Sequence, residues 1–210
     1  NAQVYNCQIE GFDKGLYLRN SNNNLIDGVI AQNSKEHGIA LFLSNKNTLT
    51  NFVDNNSIGL DSGVRLTRSN QNVLSDFTIT GSGWNGLILH LSNNNTFTSF
   101  TVSDSFKRGI HFISGENNEF NTFSINNSGT DGVYLGSNNR LFSGRICNNV
   151  NKDIIDPAGN NMGDFNTCDT PQNWNDQGTT GCTNTCTPAV DCTCSTCDEC
   201  NEKLTNQACG

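Results

Sequence analysis

The stretch Gly86-Leu87-Ile88-Leu89, then Ser92-Asn93-Asn94-Asn95-Thr96-Phe97, then Phe100-Thr101-Val102 is followed by Gly109-Ile110-His111-Phe112, which opens the same pattern again. Outward from it, a glycine leading an apolar/any/apolar triplet recurs at Gly15, Gly38, Gly63, Gly86, Gly109 and Gly132, at spacings of 23, 25, 23, 23 and 23 residues. A second row, Asn24, Asn47, Asn72, Asn95 and Asn118, keeps nearly the same period, and between the rows lie the alternating pairs Phe77/Ile79, Phe100/Val102 and Phe123/Ile125. Each unit holds short strands of period two separated by Asn, Ser and Gly turns, and none could bury its apolar face alone. Stacked as coils about 4.8 Å apart, the units give continuous inward rows: Leu16, Ile39, Val64, Leu87, Ile110, Val133 and Leu18, Leu41, Leu66, Leu89, Phe112, Leu135. The expected fold is all-β: a right-handed parallel β-helix of about seven coils over residues 1–161, followed by a disulfide-rich irregular C-terminal module at 162–210.

Composition agrees with this reading. The 210 residues include 36 Asn but only six Ala and one Met, which disfavours helical frameworks because Asn prefers turns to helix interiors. The glycine row calls for backbone with positive φ or for close approach at a corner. The asparagine row predicts an amide ladder from coil to coil. Residues 57–62 carry a two-residue insertion expected to bulge outward. The seventh coil is degenerate, with Arg140 in the place of Asn and Asp153 in the place of Gly, as in a terminal cap.

Several functions are disfavoured at once. A net charge of −8 with only 12 Lys plus Arg leaves no basic stripe for nucleic acid. The longest apolar runs, such as Ile39 to Leu43, fall far short of the roughly 18 residues of a membrane span. Beginning at Asn1 with no charged-then-apolar leader, the sequence reads as a mature or excised piece of something longer.

The pattern Asn95-Thr96-Phe97 or Asn72-Val73-Leu74, an alternating strand, then Gly with its triplet and a Ser-Asn-Asn cluster resembles right-handed parallel β-helix repeat proteins of the NosD-like, pectate-lyase-like class. The likeness covers about 160 residues. That architecture hosts lyases, epimerases, tailspikes, adhesins and surface-layer proteins, so it implies a fold more than an activity. Trp174-Asn175-Asp176 and Gly178-Thr179-Thr180-Gly181-Cys182 resemble tandem cell-surface members, and the segment from Cys197 to Leu204 is similar to the opening of a further β-helix unit.

Cysteine use is lopsided. Cys7 and Cys147 lie in the solenoid, while Cys168, Cys182, Cys186, Cys192, Cys194, Cys197, Cys200 and Cys209 crowd the end of the chain. Six coils separate Cys7 from Cys147, roughly 29 Å, too far for a disulfide whose Cα atoms must lie within about 7 Å. Cys7 is then a buried thiol or pairs outside this segment, whereas Cys147 can reach the tail. The spacing Cys194, Cys197, Cys200 suits zinc, but a tail without His and poor in aliphatic residues favours disulfides, so Cys147 joins the eight tail cysteines as the disulfide candidates. No metal and no cofactor is expected.

The resemblance directs attention to outward columns. A lyase of this class needs clustered Asp around calcium with an Arg or Lys base, and its epimerase relatives use Tyr, His and Asp. The column before the glycines reads Lys14, His37, Ser62, Asn85, Arg108, Asp131, and the one before it Asp13, Glu36, Asp61, Trp84, Lys107, Thr130. Trp84, Lys107, Arg108 and Asp131 form one patch suited to an acidic sugar, or else are solvated corner residues with offsetting charges. His37, His90 and His111 fall on separate coils, which argues against a shared base, and no catalytic residue is assigned. The column Tyr17, Ala40, Arg65, Ile88, His111, Tyr134, joined by Phe42 and Ile113, is apolar enough for a lateral contact or for coverage by a loop or the tail. Asn55, Asn94 and Asn126 begin glycosylation acceptor triplets. The expected function is a non-catalytic extracellular or cell-surface structural protein, a subunit of a layer, sheath or filament, whose partners are copies of itself, head to tail or lateral, and surface glycans. A glycan-binding adhesin, and after it a polysaccharide lyase or epimerase, are the alternatives.

Overall fold

The computed structural model describes residues 1–59 and 61–186, and forms a parallel β-solenoid of about 7 turns. One sheet of eleven strands takes two faces of the coil, and a second sheet of eight takes the third. In the early coils the first sheet is split, as in Thr48–Thr50 and Val53–Asn55; later both parts fuse into the eight-residue strands Val73–Thr80, Thr96–Ser103, Glu119–Asn126 and Arg140–Cys147. The second sheet stacks Lys14–Arg19, His37–Phe42, Ser62–Thr67, Asn85–His90 and Ile110–Ser114, with Leu16↔Ile39, Ile39↔Val64 and Leu87↔Ile110 in register. The inward rows expected from the repeat are therefore the core.

None of the six repeat glycines has a positive φ. Close approach is their reason: a Cβ on Gly86 would lie 2.2 Å from Val102 Cγ1 and 2.7 Å from the Gly109 carbonyl oxygen. The left-handed backbone falls instead to other columns. One, Asn6, Gly28, Asn51, Asp76, Ser99, Thr122, Ser143 and Phe165, bends the first sheet; another, Gly11, Asn33, Asn56, Gly81, Asp104, Asn127 and Asn148, turns the corner after it. Twelve of the 23 non-glycine residues with positive φ are Asn, the residue whose short amide best tolerates that conformation.

The buried asparagine row is a continuous ladder. Asn24 Nδ2 donates to Asn47 Oδ1 at 2.8 Å, and Asn47, Asn72, Asn95 and Asn118 each repeat the bond to the next at 3.0 Å. Each backbone N–H also donates to the following amide oxygen, as Asn72 N does to Asn95 Oδ1 at 2.9 Å. The ladder corrects the reading of the seventh coil: Asn139, not Arg140, holds the amide position, accepting from Asn118. That coil is shorter, with 21 residues from Asn118 to Asn139, so the amide arrives early in the sequence. Asp153 does stand where glycine is due, since Val133 pairs with Ile154.

Aromatic columns fill the interior. Phe52, Phe77, Phe100 and Phe123 stack with ring centroids 4.5, 4.7 and 5.2 Å apart, and Phe97 stacks on Phe120 at 4.5 Å. Gly144 ends the first column, because a Cβ there would lie 2.2 Å from Phe123 Cζ. Ile58 keeps the regular register, its N–H donating to the Ser34 carbonyl oxygen at 2.9 Å, so the two-residue insertion follows it, and the bulge expected there involves Leu60, outside the described residues.

The two ends differ. At coil one, Val4, Cys7, Ile9, Leu16 and Leu18 are only partly buried against the core, and Gln3–Tyr5 and Lys14–Arg19 are terminal strands of their sheets. At the other end the parallel ladders continue past the boundary expected at residue 161: Met162–Asp164 pairs with Arg140–Phe142, and Pro171–Gln172 with Ile154–Ile155. The boundary therefore lies inside the stack. Trp174, 2% exposed, closes the core there. Its Nε1 donates to the Asp176 carboxylate at 3.1 Å, which also accepts from Asn166 N at 2.8 Å and Thr183 N at 2.7 Å.

Two disulfides fasten this end, Cys147–Cys186 and Cys168–Cys182, with Cα separations of 6.0 and 5.6 Å. Cys147 thus reaches the tail, while the half-buried Cys7 has no disulfide partner among the described residues. Cys192, Cys194, Cys197, Cys200 and Cys209 lie outside the described residues. A disulfide closing loops of this size contributes about 2–4 kcal/mol. Reduction, or Cys168→Ser with Cys182→Ser, is expected to lower the melting temperature by roughly 5–15 °C for a chain of this length. Thermal unfolding with and without reductant checks this, and an unchanged melting temperature would mean the bridges carry no stability.

Candidate functional site

The second sheet presents outward columns on which two groups of polar side chains assemble. The first spans coils one to three. Asp61 accepts from Arg65 NH1 at 2.7 Å and lies 3.2 Å from His37 Nε2, while Arg65 Nε donates to Thr67 Oγ1 at 3.1 Å. His37 Nδ1 lies 3.3 Å from the Ser62 carbonyl oxygen and 3.4 Å from the Ser62 hydroxyl, while Nε2 faces the Asp61 carboxylate. Burial pushes the His37 pKa below its ordinary value against the pull of Asp61. Lys14 pairs with Glu36 beside it. Between Tyr17 and Arg65 the small side chain of Ala40 leaves a groove of about 270 Å³, walled further by Phe42.

The second group holds the residues singled out from the sequence. Lys107 Nζ sits 3.6 Å from the Trp84 ring centroid, and Arg108 Nε donates to Asp131 Oδ2 at 2.9 Å. The structure brings these four together as two pairs, each with its cation already matched. Phe106 stacks near Trp84 at 6.2 Å, and the Arg108 guanidinium lies 4.6 Å from the Tyr134 ring centroid and 3.4 Å from His111 Nε2. Burial, then Arg108, pushes the His111 pKa down to about 4, so the ring is uncharged near neutral pH.

The apolar column is less open than its sequence suggests. Ala40 and Ile88 are 4% and 3% exposed, flanked in register by Tyr17, Arg65 and His111. Ile113 does not join Phe42: the register shifts after Leu89, so that Ser114 pairs with His90 and Ile113 stands in a bulge. Among the glycosylation candidates, Asn94 is exposed, whereas Asn55 and Asn126 are half-buried in strands, with the hydroxyl residues of their triplets, Ser57 and Ser128, buried.

Two features escaped the sequence reading. One is the joining of His37, Asp61 and Arg65, which depends on side-chain reach between coils. The other is Asp54, fully buried in the core column that otherwise reads Ala31, Ile79, Val102, Ile125 and Ile146. Ser57 Oγ donates to Asp54 Oδ1 at 2.6 Å, and Oδ2 has no partner. Burial pushes this carboxyl up to about 7. Setting Val53-Asp54-Asn55 beneath Thr78-Ile79-Thr80 would have exposed it.

The fold is shared with proteins of diverse activity. The periplasmic alginate epimerase AlgG is similar at a TM-score of 0.70 and 11% identity, over 84% of this chain and 48% of that one. The A-module of mannuronan C-5 epimerase AlgE4 from Azotobacter vinelandii is similar at 0.71 and 12%, over 89% and 57%. The Dettilon tailspike protein is similar at 0.63 and 17%, over 74% and 36%. The chain thus spans about half or less of the length of most of these structures, and at such identities the likeness shows the fold alone. No curated protein matches the sequence. The model of the family described as periplasmic copper-binding protein (NosD) matches residues 1–139 of the 210, the coils whose glycine and asparagine rows were traced above, and the chain belongs to the NosD family.

Proposed function

We propose that the chain is a non-catalytic structural rod outside the cytoplasm, joined head to tail to further copies of itself through its coil-one end. The parallel edges presented by the described coils carry this reading. Among the described residues Gln3–Tyr5, Gln8–Glu10 and Lys14–Arg19 pair on one side and leave Val4, Ile9, Leu16 and Leu18 partly buried, a parallel edge on which a further coil can stack. At the other side of the described stack Trp174 and two disulfides cover the core beside the last described parallel strand, Pro171–Gln172. Only head-to-tail contact keeps the strands of successive copies parallel. Disulfides persist outside reducing compartments, which supports a periplasmic, extracellular or cell-surface location, as does the family's description.

Copper finds no fit among the described residues. A copper site gathers imidazole or sulfur ligands. Here His37 is engaged with Asp61 and Ser62, Cys7 stands by itself, and no three His, Cys, Asp or Glu converge among the described residues.

Light scattering of the full chain under non-reducing conditions tests the joint. Mass is expected to grow with concentration, and Ile9→Lys with Leu18→Lys is expected to leave folded monomers, judged by circular dichroism. A wild-type chain that stays monomeric at millimolar concentration would overturn the proposal.

A further inference from the structure

The groove on coils one to three has the makings of a binding site independent of the ends of the rod. Its floor is the Ala40 methyl group, and its walls are the Tyr17 ring, 44% exposed, and the Phe42 ring. At one side stand an acceptor and a donor together, the Asp61 carboxylate and the Arg65 guanidinium, already held in place by their 2.7 Å bond, by His37 and by Thr67. Such preorganisation lowers the cost of binding.

We propose that this groove seats one ring of a neutral glycan. Three properties select that chemistry. Aromatic walls match the C–H faces of a pyranose, as few-atom polar ligands could not. Neighbouring donor and acceptor groups match vicinal hydroxyls, each of which both donates and accepts, and an aromatic side chain of a peptide would leave them unmatched. The charged groups lining the groove are paired, Lys14 with Glu36 and Arg65 with Asp61, and burial favours the uncharged form of His37. Arg19, 5.8 Å from the Phe42 ring centroid, is not among the lining residues, so an acidic or basic sugar gains no unpaired counter-charge from the lining. At about 270 Å³ and open to the outer face, the groove suits a single ring, below the roughly 300–1,000 Å³ of sites for drug-sized ligands.

Saturation-transfer NMR and calorimetry of the full chain with maltotriose, cellotriose, mannotriose, triacetylchitotriose and trigalacturonate test the site. At least one neutral trisaccharide is expected to bind with a Kd on the order of millimolar, and trigalacturonate more weakly. Tyr17→Ala, which removes an exposed wall, and Ala40→Leu, which fills the floor, are each expected to weaken binding about tenfold, equivalent to about 1.4 kcal/mol. Trp84→Ala is expected to leave it unchanged. The proposal is overturned if none of the neutral trisaccharides binds, if trigalacturonate binds best, or if neither groove variant alters the affinity. Because light scattering reads the rod's ends and these titrations read its outer face, failure of one leaves the other standing.

Discussion

Asn95→Leu is expected to destabilise the solenoid by about 3–6 kcal/mol, a large part of the total for a natural domain. Asn95 Oδ1 accepts from both the backbone N and the Nδ2 of Asn72, and Asn95 Nδ2 donates to the Ser69 carbonyl oxygen and to Asn118 Oδ1. Leucine keeps the branching at Cγ and supplies none of these bonds. Asn118 Oδ1 keeps the backbone N–H of residue 95 and Asn72 Nδ2 keeps the Ser44 carbonyl oxygen, but the Asn72 backbone N–H, the second Nδ2 hydrogen and the Ser69 oxygen lose their partner in a place where Asn95 is 1% exposed. Each orphan costs about 1–3 kcal/mol. Asn94→Gly provides the contrast: Asn94 is exposed with φ 56°, glycine adopts that conformation freely, and stability should change by only about 0.5 kcal/mol. Urea unfolding of the two variants measures the difference. Equal effects would mean the buried amides are no more than turn formers.

Asp54 predicts the second large effect, and its direction depends on pH. Its folded pKa, about 7, stands above the ordinary 3.8 because burial penalises the carboxylate. Between these values the folded chain binds more protons than the unfolded one, so stability falls as pH rises from about 4 to 7 and then levels off. The loss comes to about 4 kcal/mol, at 1.36 kcal/mol for each pH unit of the difference. Asp54→Asn keeps the shape and removes the ionisation. The variant is expected to match the native chain near pH 4, to exceed it by about 4 kcal/mol at pH 8.5, and to lose this part of the pH dependence. Unfolding curves at both pH values check this, and a constant difference between the chains would show that Asp54 does not ionise within the core.

Much of the fold was legible because a solenoid writes its period into the chain. The glycine and asparagine rows could be laid out coil by coil, and the inward rows followed. The double use of asparagine hid the rest. Asn95 and Asn94 are neighbours of one type, yet the first bonds through the core corner while the second turns the backbone left-handed. A period also misleads where a coil shortens, as at Asn139, or bulges, as at Ile113. Among site residues, Trp84 with Lys107 and Arg108 with Asp131 were found because they are column neighbours. The His37, Asp61 and Arg65 group links three columns of a single sheet face, and its bonds depend on side-chain lengths that a column diagram omits. The closing role of Trp174 and Asp176 needed the structure, since their contacts run to Gly163, Asn166 and Thr183.

Electron micrographs of the full chain at rising concentration, without reductant, examine the proposed joint most directly. Head-to-tail joining predicts unbranched strings one rod wide, with an axial repeat no shorter than the roughly 34 Å that about 7 turns occupy at about 4.8 Å each, and predicts separate rods for Ile9→Lys with Leu18→Lys. Single rods at every concentration, or rafts packed side by side that persist in that variant, would contradict it.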